Sequence, residues 1–210
     1  MIGKRPLRFL LCALSIGALA CNAAPRVLRV VSDAQRQNQT VALQEAVGRD
    51  DTNSAYLALQ SGADPDGAGP NRTRSEGAPP LCRAAIGGQE RMTAVLLQGG
   101  ADPNIVCGDL TGDGKLDTVL SAAAGTGDDT MVRRLIERGA NVNDDPERSG
   151  ESLALQKAAW RGRGTIVREL LAHGAYPRTH DARGQLLSSA LRQAGWVETA
   201  NDIERAGQQK

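Results

Sequence analysis

Gly-Ala pairs recur in the 210-residue sequence at a near-constant interval, at Gly62-Ala63, Gly100-Ala101, Gly139-Ala140 and Gly174-Ala175, spaced 35 to 39 residues apart. Self-similarity at that period restricts the chain to a stack of small units, since none can bury an apolar face alone and each must cover its neighbour. Each pair follows a leucine by 19 residues, namely Leu43, Leu81, Leu120 and Leu155, and Leu187 opens a fifth unit predicted to end near Ala206. Aligned on these leucines, every unit carries alanine three residues on, at Ala46, Ala84, Ala123, Ala158 and Ala190. Sixteen residues on, every unit has an aliphatic residue: Leu59, Leu97, Ile136, Leu171 and Ile203. Seven residues on stand Gly88, Gly127 and Gly162, where a first helix of about two turns would end in a left-handed cap. Each unit therefore reads as helix, tight turn, helix. The alanines let first helices approach closely, and the aliphatic column is expected to fill the layer between units.

Two end units depart from the pattern. The first has Asp50 in place of the mid-unit glycine, and the fifth has Asp202 where a middle unit has leucine, as expected of capping units with polar outer faces. The step from each glycine to the next leucine runs 19, 20, 16 and 13 residues, so the length variation falls in the connections between units. Insertions there extend solvent-facing hairpins at small entropic cost. The first such finger, Asp64 to Pro80, is rich in Gly, Pro and Arg.

The motifs Pro80-Leu81-Cys82-Arg83-Ala84-Ala85 and Leu155-Gln156-Lys157-Ala158-Ala159, with the ending Gly100-Ala101-Asp102-Pro103-Asn104, resemble the ankyrin repeat over residues 40–210. The resemblance implies an all-α fold, an ankyrin-repeat solenoid of about five helix-turn-helix repeats with hairpin or loop fingers. The repeats are placed near 40–69, 78–109, 117–148, 152–184 and 185–210. The family's Thr-Pro-Leu-His signature is degenerate here. Its histidine column holds Gln44, Cys82, Ser121, Gln156 and Ser188, which predicts a lost side-chain hydrogen bond in those units.

Ahead of the repeats, Lys4, Arg5 and Arg8 precede an apolar run from Phe9 to Ala20 and then small residues. That layout makes 1–20 a signal peptide, the run being too short to span a bilayer. Residues 21–39 read as a linker or N-terminal capping segment, with Val27, Leu28, Val30 and Val31 able to cover the first unit. Cleavage after Ala20 would expose Cys21, the position that bacterial lipoproteins acylate, although Leu19 lies two residues before it rather than three. Acylation of Cys21 and ordinary cleavage there or after Ala23 both remain open. Either outcome predicts export, to the periplasm or to a lipid anchor at the outer membrane. Cys82 and Cys107 then form an even pair. They are either bridged, which would stabilise by about 3 kcal/mol, or two separate thiols.

Of 25 basic residues three lie in the leader, leaving 22 against 24 acidic ones, which argues against nucleic-acid binding. Two histidines and few cysteines leave little for zinc or nucleophilic catalysis, so no enzyme activity is expected. The second finger contains Asp109-Leu-Thr-Gly-Asp-Gly-Lys-Leu-Asp117, which resembles the core of an EF-hand-like loop. Its candidate calcium ligands are Asp109, Thr111, Asp113, the Lys115 carbonyl and Asp117. The bidentate ligand at position twelve is missing, being Leu120. The alternative is a polar hairpin tip turning at Asp113-Gly114, and no other cofactor is expected. His173 reads as a helix C-terminal residue and His180-Asp181 as a loop pair without a nucleophile, while Asp128-Asp129 and Asp144-Asp145 read as solubilising pairs.

The resemblance implies partner binding by the finger tips and the exposed side of the first helices. That side gathers Glu45, Arg49, Arg83, Ile86, Lys157, Trp160, Arg161, Arg192 and Gln193. The expected partner-binding residues are Arg83, Ile86, Lys157, Trp160, Arg161 and Arg192, led by Trp160 with Arg161, side chains that anchor interfaces most often. The competing reading has Trp160 merely covering the gap over Gly125 and Thr126. A protein partner is expected, with membrane contact only through Cys21 and a monomeric state alone. The role expected is immunity or inhibition. The alternatives are an accessory protein supporting a periplasmic enzyme and a calcium-stiffened structural module.

Overall fold

The computed structural model describes residues 33–67, 78–108, 116–143, 152–180 and 185–208. Among them are ten helices: α1 over 33–49, α2 Thr52–Gln60, α3 Pro80–Ile86, α4 Glu90–Gln98, α5 Val119–Thr126, α6 Asp129–Glu137, α7 Leu153–Trp160, α8 Gly164–Ala172, α9 Leu187–Gln193 and α10 Val197–Gln208. They come in pairs, and each pair breaks at a residue with positive φ: Gly88, Gly127, Gly162 and Gly195, with Asp50 in the first. Asp50, at φ 56°, is the one non-glycine residue in that conformation among the described residues. Aspartate tolerates the left-handed region better than most side chains, so the first unit keeps the same turn without glycine. α1 is already helical at residue 33. Residues 33–39, in the segment expected as a linker or N-terminal cap, are helical and run on into the first unit.

Short polar side chains fix where helices begin. Asp51 caps α2 by accepting the N–H groups of Asn53 and Ser54, and Asp128 caps α6 by accepting that of Met131. Asp128 is thus a structural cap rather than a solubilising charge. The hydroxyl bond from Ser54 to Asp51, reinforced by the Ser54 N–H, holds the Asp51 carboxyl below its ordinary range. Thr118 and Ser121 form a reciprocal capping box at α5. Pro80 opens α3 at a position where its missing N–H costs nothing.

Packing follows the repeat. α3 lies on α5, α5 on α7 and α7 on α9, while α2 lies on α4, α4 on α6, α6 on α8 and α8 on α10. Leu43, Leu81, Leu120 and Leu155 are fully buried, with Ala84, Ala123 and Ala158 at the close approaches. Each such leucine contributes about 1.5–3 kcal/mol of burial. On the second helices the deepest column lies fifteen residues after the leucine, at Leu96, Leu135 and Leu170. The sixteenth position, expected in the core, is only partly buried at Leu59, Ile136 and Leu171.

The fifth unit is displaced by one residue from its expected register. The N–H after the left-handed residue bonds the carbonyl of Ala46, Ala84 and Ala158 in three earlier units, and in the last unit Trp196 bonds Leu191. Leu191 therefore stands in the alanine column, Ser188 in the leucine column and Ile203 in the deep second-helix column. Asp202 does not replace a core leucine. It is partly exposed and pairs with Arg168 and Arg205.

Between pairs the chain forms fingers. β1 (Val106–Gly108) and β2 (Asp117–Thr118) pair antiparallel in the second finger, and His180 bridges Leu186 in the last. A disulfide joins Cys82 of α3 to Cys107 of β1, with their Cα atoms 5.5 Å apart, tying the finger to its own first helix. At the finger bases a side chain from each unit reaches the next unit's backbone. Asp66 accepts the N–H of Asp102 at 2.9 Å, Asn104 that of Asn141 at 2.7 Å and Asn143 that of Tyr176 at 2.7 Å. The two asparagines also donate, to the carbonyls of Gly139 and Gly174.

Candidate functional site

The exposed side of the first helices is where the sequence placed a partner-binding strip. Ile86, Lys157 and Arg161 meet there around a cavity of about 210 Å³ that α5 floors with Ser121, Ala122 and Gly125. The floor is low because α5 carries only small residues on this side, so side chains from α3 and α7 stand above it on either hand.

Asp117 is the buried electrostatic centre of the cavity. Its side chain is 2% exposed, and its Oδ1 accepts the Ser121 hydroxyl and the Lys157 ammonium. Its Oδ2 is buried without a hydrogen-bond partner among the described residues. A pair this deep gives back in attraction roughly what it costs in desolvation, so it positions Lys157 more than it stabilises the fold. The rest of the candidate calcium set, Asp109, Thr111, Asp113 and Lys115, lies outside the described residues. Among the described residues no three His, Cys, Asp or Glu side chains are grouped to hold a metal, and no helix is long and apolar enough to cross a membrane. Cys21 also lies outside the described residues.

Cationic side chains reach back to the preceding unit. Arg83 donates from one nitrogen to the Gln44 carbonyl at 3.1 Å and to Gln44 Oε1 at 2.9 Å. Arg161 donates to the Gly125 carbonyl at 3.3 Å and Arg163 to the Thr126 carbonyl at 3.1 Å. Arg192 does not join this strip. In the register set by Gly195 it stands where earlier units have the buried Ala85, Ala124 and Ala159. Arg192 turns to α10 and bonds Glu204 at 2.7 Å and Asn201 at 3.0 Å.

A Cβ placed on Gly125 would lie 3.9 Å from Arg161 and from Lys157. The gap is therefore filled by those stems, and Trp160 remains 44% exposed, as does Ile86. Sequence reasoning missed a second aromatic. Trp196 lies over Gly162, so closely that a Cβ there would come within 1.8 Å of its ring, and it is 37% exposed. The one-residue slip of the fifth unit hid this, because the leucine alignment placed Trp196 past the turn. Arg163 covers Gly127 in the same way. The cue in the sequence was the residue after each left-handed position: Gln89, Arg163 and Trp196 all reach back to the preceding turn.

The degenerate histidine column is compensated where its contacts are described. Gln44 donates to the Gly67 carbonyl at 2.7 Å, Cys82 is bridged and Ser121 completes the capping box. His173 caps the end of α8, 3.4 Å from Glu169. Asp129 accepts the Thr165 hydroxyl at 3.0 Å.

Residues 115–145, which contain α5 and α6, match the family model described as Ankyrin repeat. The match and the mostly helical structure support an ankyrin-repeat family. Ankyrin repeats generally mediate protein–protein interaction, and proteins built from them are typically non-enzymatic.

Proposed function

We propose that the chain is a non-catalytic protein-binding module, a solenoid of five ankyrin-type units that docks a partner across Ile86, Lys157, Trp160 and Arg161. One observation carries this reading. Ile86, which lines the cavity, and Trp160, the neighbour in sequence of the lining residue Arg161, remain 44% exposed, although Leu81 and Leu155 of the same helices are fully buried. Large side chains of this kind at the rim of a concavity desolvate well on docking. The side chains around them are already held by Asp117 and by the carbonyl of Gly125, so little freedom is lost when a partner arrives. The leader-like first 20 residues support a location outside the cytoplasm, in the periplasm or at a lipid anchor on Cys21, and an immunity or inhibitor role suits a small rigid binder there.

The test is capture from a periplasmic extract by the purified protein, read by mass spectrometry. A partner retained by the parent and lost with Trp160→Asp, at unchanged helical circular dichroism, supports the reading. No retained protein, or undiminished retention by Trp160→Asp, refutes it.

A further inference from the structure

Both tryptophans of the chain come to one turn. Trp160 ends α7, and two residues later Gly162 lies beneath the ring of Trp196. Both rings are partly exposed, and Val197 beside them is 45% exposed. The same turn carries Arg161 and Arg163, which donate to the carbonyls of Gly125 and Thr126. Neither has a carboxylate partner among the described residues. Most other described arginines of the third to fifth units are paired, Arg133 with Glu169, Arg134 with Glu90, Arg168 and Arg205 with Asp202 and Arg192 with Glu204, whereas Arg138 and Arg178 form no ion pair among the described residues. Two arginines without a carboxylate partner among the described residues thus share one turn with the two partly exposed indoles. A guanidinium has five N–H donors, so each arginine, steadied by its carbonyl, keeps a free fork for a bidentate acceptor.

We propose that this edge, formed by Trp160, Arg161, Arg163 and Trp196, anchors an acidic segment of the partner protein. Two carboxylates of that segment pair with the guanidinium groups, and an apolar side chain between them seats against the indoles. The inference rests on the reading of the chain as a protein binder, and names which part of the partner it holds. A phosphate backbone would also satisfy the arginines. The near-equal numbers of basic and acidic residues supply no extended cationic track for one.

With no other tryptophan in the sequence, intrinsic fluorescence reports on this edge alone. The probes are a capped Glu-Glu-Leu-Glu-Glu peptide, its Lys-for-Glu counterpart and a single-stranded oligonucleotide of equal charge to the acidic peptide. The acidic peptide is expected to give a saturable change below about 1 mM that weakens with added salt. Arg161→Gln/Arg163→Gln, folded by circular dichroism, is expected to bind it about tenfold more weakly. Trp196→Phe, which keeps a ring over Gly162, is expected to retain binding read from Trp160. A flat titration, an equal response to the basic peptide, tighter binding of the oligonucleotide or an unaffected double-arginine variant overturns the proposal. Should the peptide fail while Trp160→Asp still abolishes partner capture, the binder reading survives and the acidic anchor does not.

Discussion

Replacing Asp66 by asparagine gives the first finger joint a hydrogen-bond-donating amide and removes one charge. At the next two joints Asn104 and Asn143 each accept a backbone N–H from the following unit and donate to its glycine carbonyl. Asp66 accepts the Asp102 N–H but, ionised, has nothing to give to Gly100. Partial burial raises its pKa, and the neighbouring Asp102 and Asp64 carboxylates raise it further against the opposing Asp102 N–H bond. The folded state therefore holds this proton more tightly than the unfolded chain does. Stability is lost as pH climbs from the unfolded value of 3.8 through the folded pKa. Asparagine suffers no such loss and supplies the missing bond. The gain is about 0.5–1 kcal/mol, the lower part of the range for one hydrogen bond because the joint is exposed. In urea unfolding followed by circular dichroism near pH 7, the midpoint should rise by about 0.2–0.5 M at unchanged slope. Near pH 3 parent and variant should converge, since protonated Asp66 can donate as asparagine does. A variant no more stable at neutral pH, or one whose advantage persists in acid, refutes this account of the joint.

Three further outcomes are expected. Cys82→Ala/Cys107→Ala should lose about 3 kcal/mol of unfolding free energy, and a loss below about 1 kcal/mol would mean that the finger is held without the cross-link. Lys157→Met should cost about 3 kcal/mol by leaving Asp117 buried and unpaired, whereas Asp117→Asn/Lys157→Met should recover most of it. Equal costs for single and double variants in a denaturation cycle would contradict the coupling. Gly162→Ala should destabilise by about 1–2 kcal/mol, because alanine is strained at φ 69° and its methyl would displace Trp196. An unshifted emission maximum in that variant would show the indole to be elsewhere.

Much of the helix pairing is legible in the sequence, because the leucine and alanine columns report a burial requirement that repeats unit by unit. Where a column mixes residue types the reading fails. In the last unit Leu187 and Leu191 both fit as core residues, and only the backbone bond from Trp196 to Leu191 shows which belongs to the alanine column. That slip carried Arg192 off the strip and hid Trp196. The pairing of Asp117 with Lys157 spans forty residues and joins two units, so no local motif announces it. Asp117 was legible as an oxygen ligand, but not as the partner of a lysine in the following unit. The finger ladder could have been found. Asp66, Asn104 and Asn143 each stand four residues after their glycine, a column that a search centred on apolar positions passes over.

Two of the described joints are fastened along both edges by contacts from one unit to the next. Asp66 works at the fingers where Gln89 reaches Val47 at the turns, and Asn104 at the fingers is followed by Asn143 opposite Arg163 on Thr126. Since each fastening spans a single boundary, a duplicated unit would bring its own clasps and meet compatible ones on either side. A gene of this design can lengthen or shorten by whole modules, and the groove it presents would grow or shrink without any surviving module having to be rebuilt.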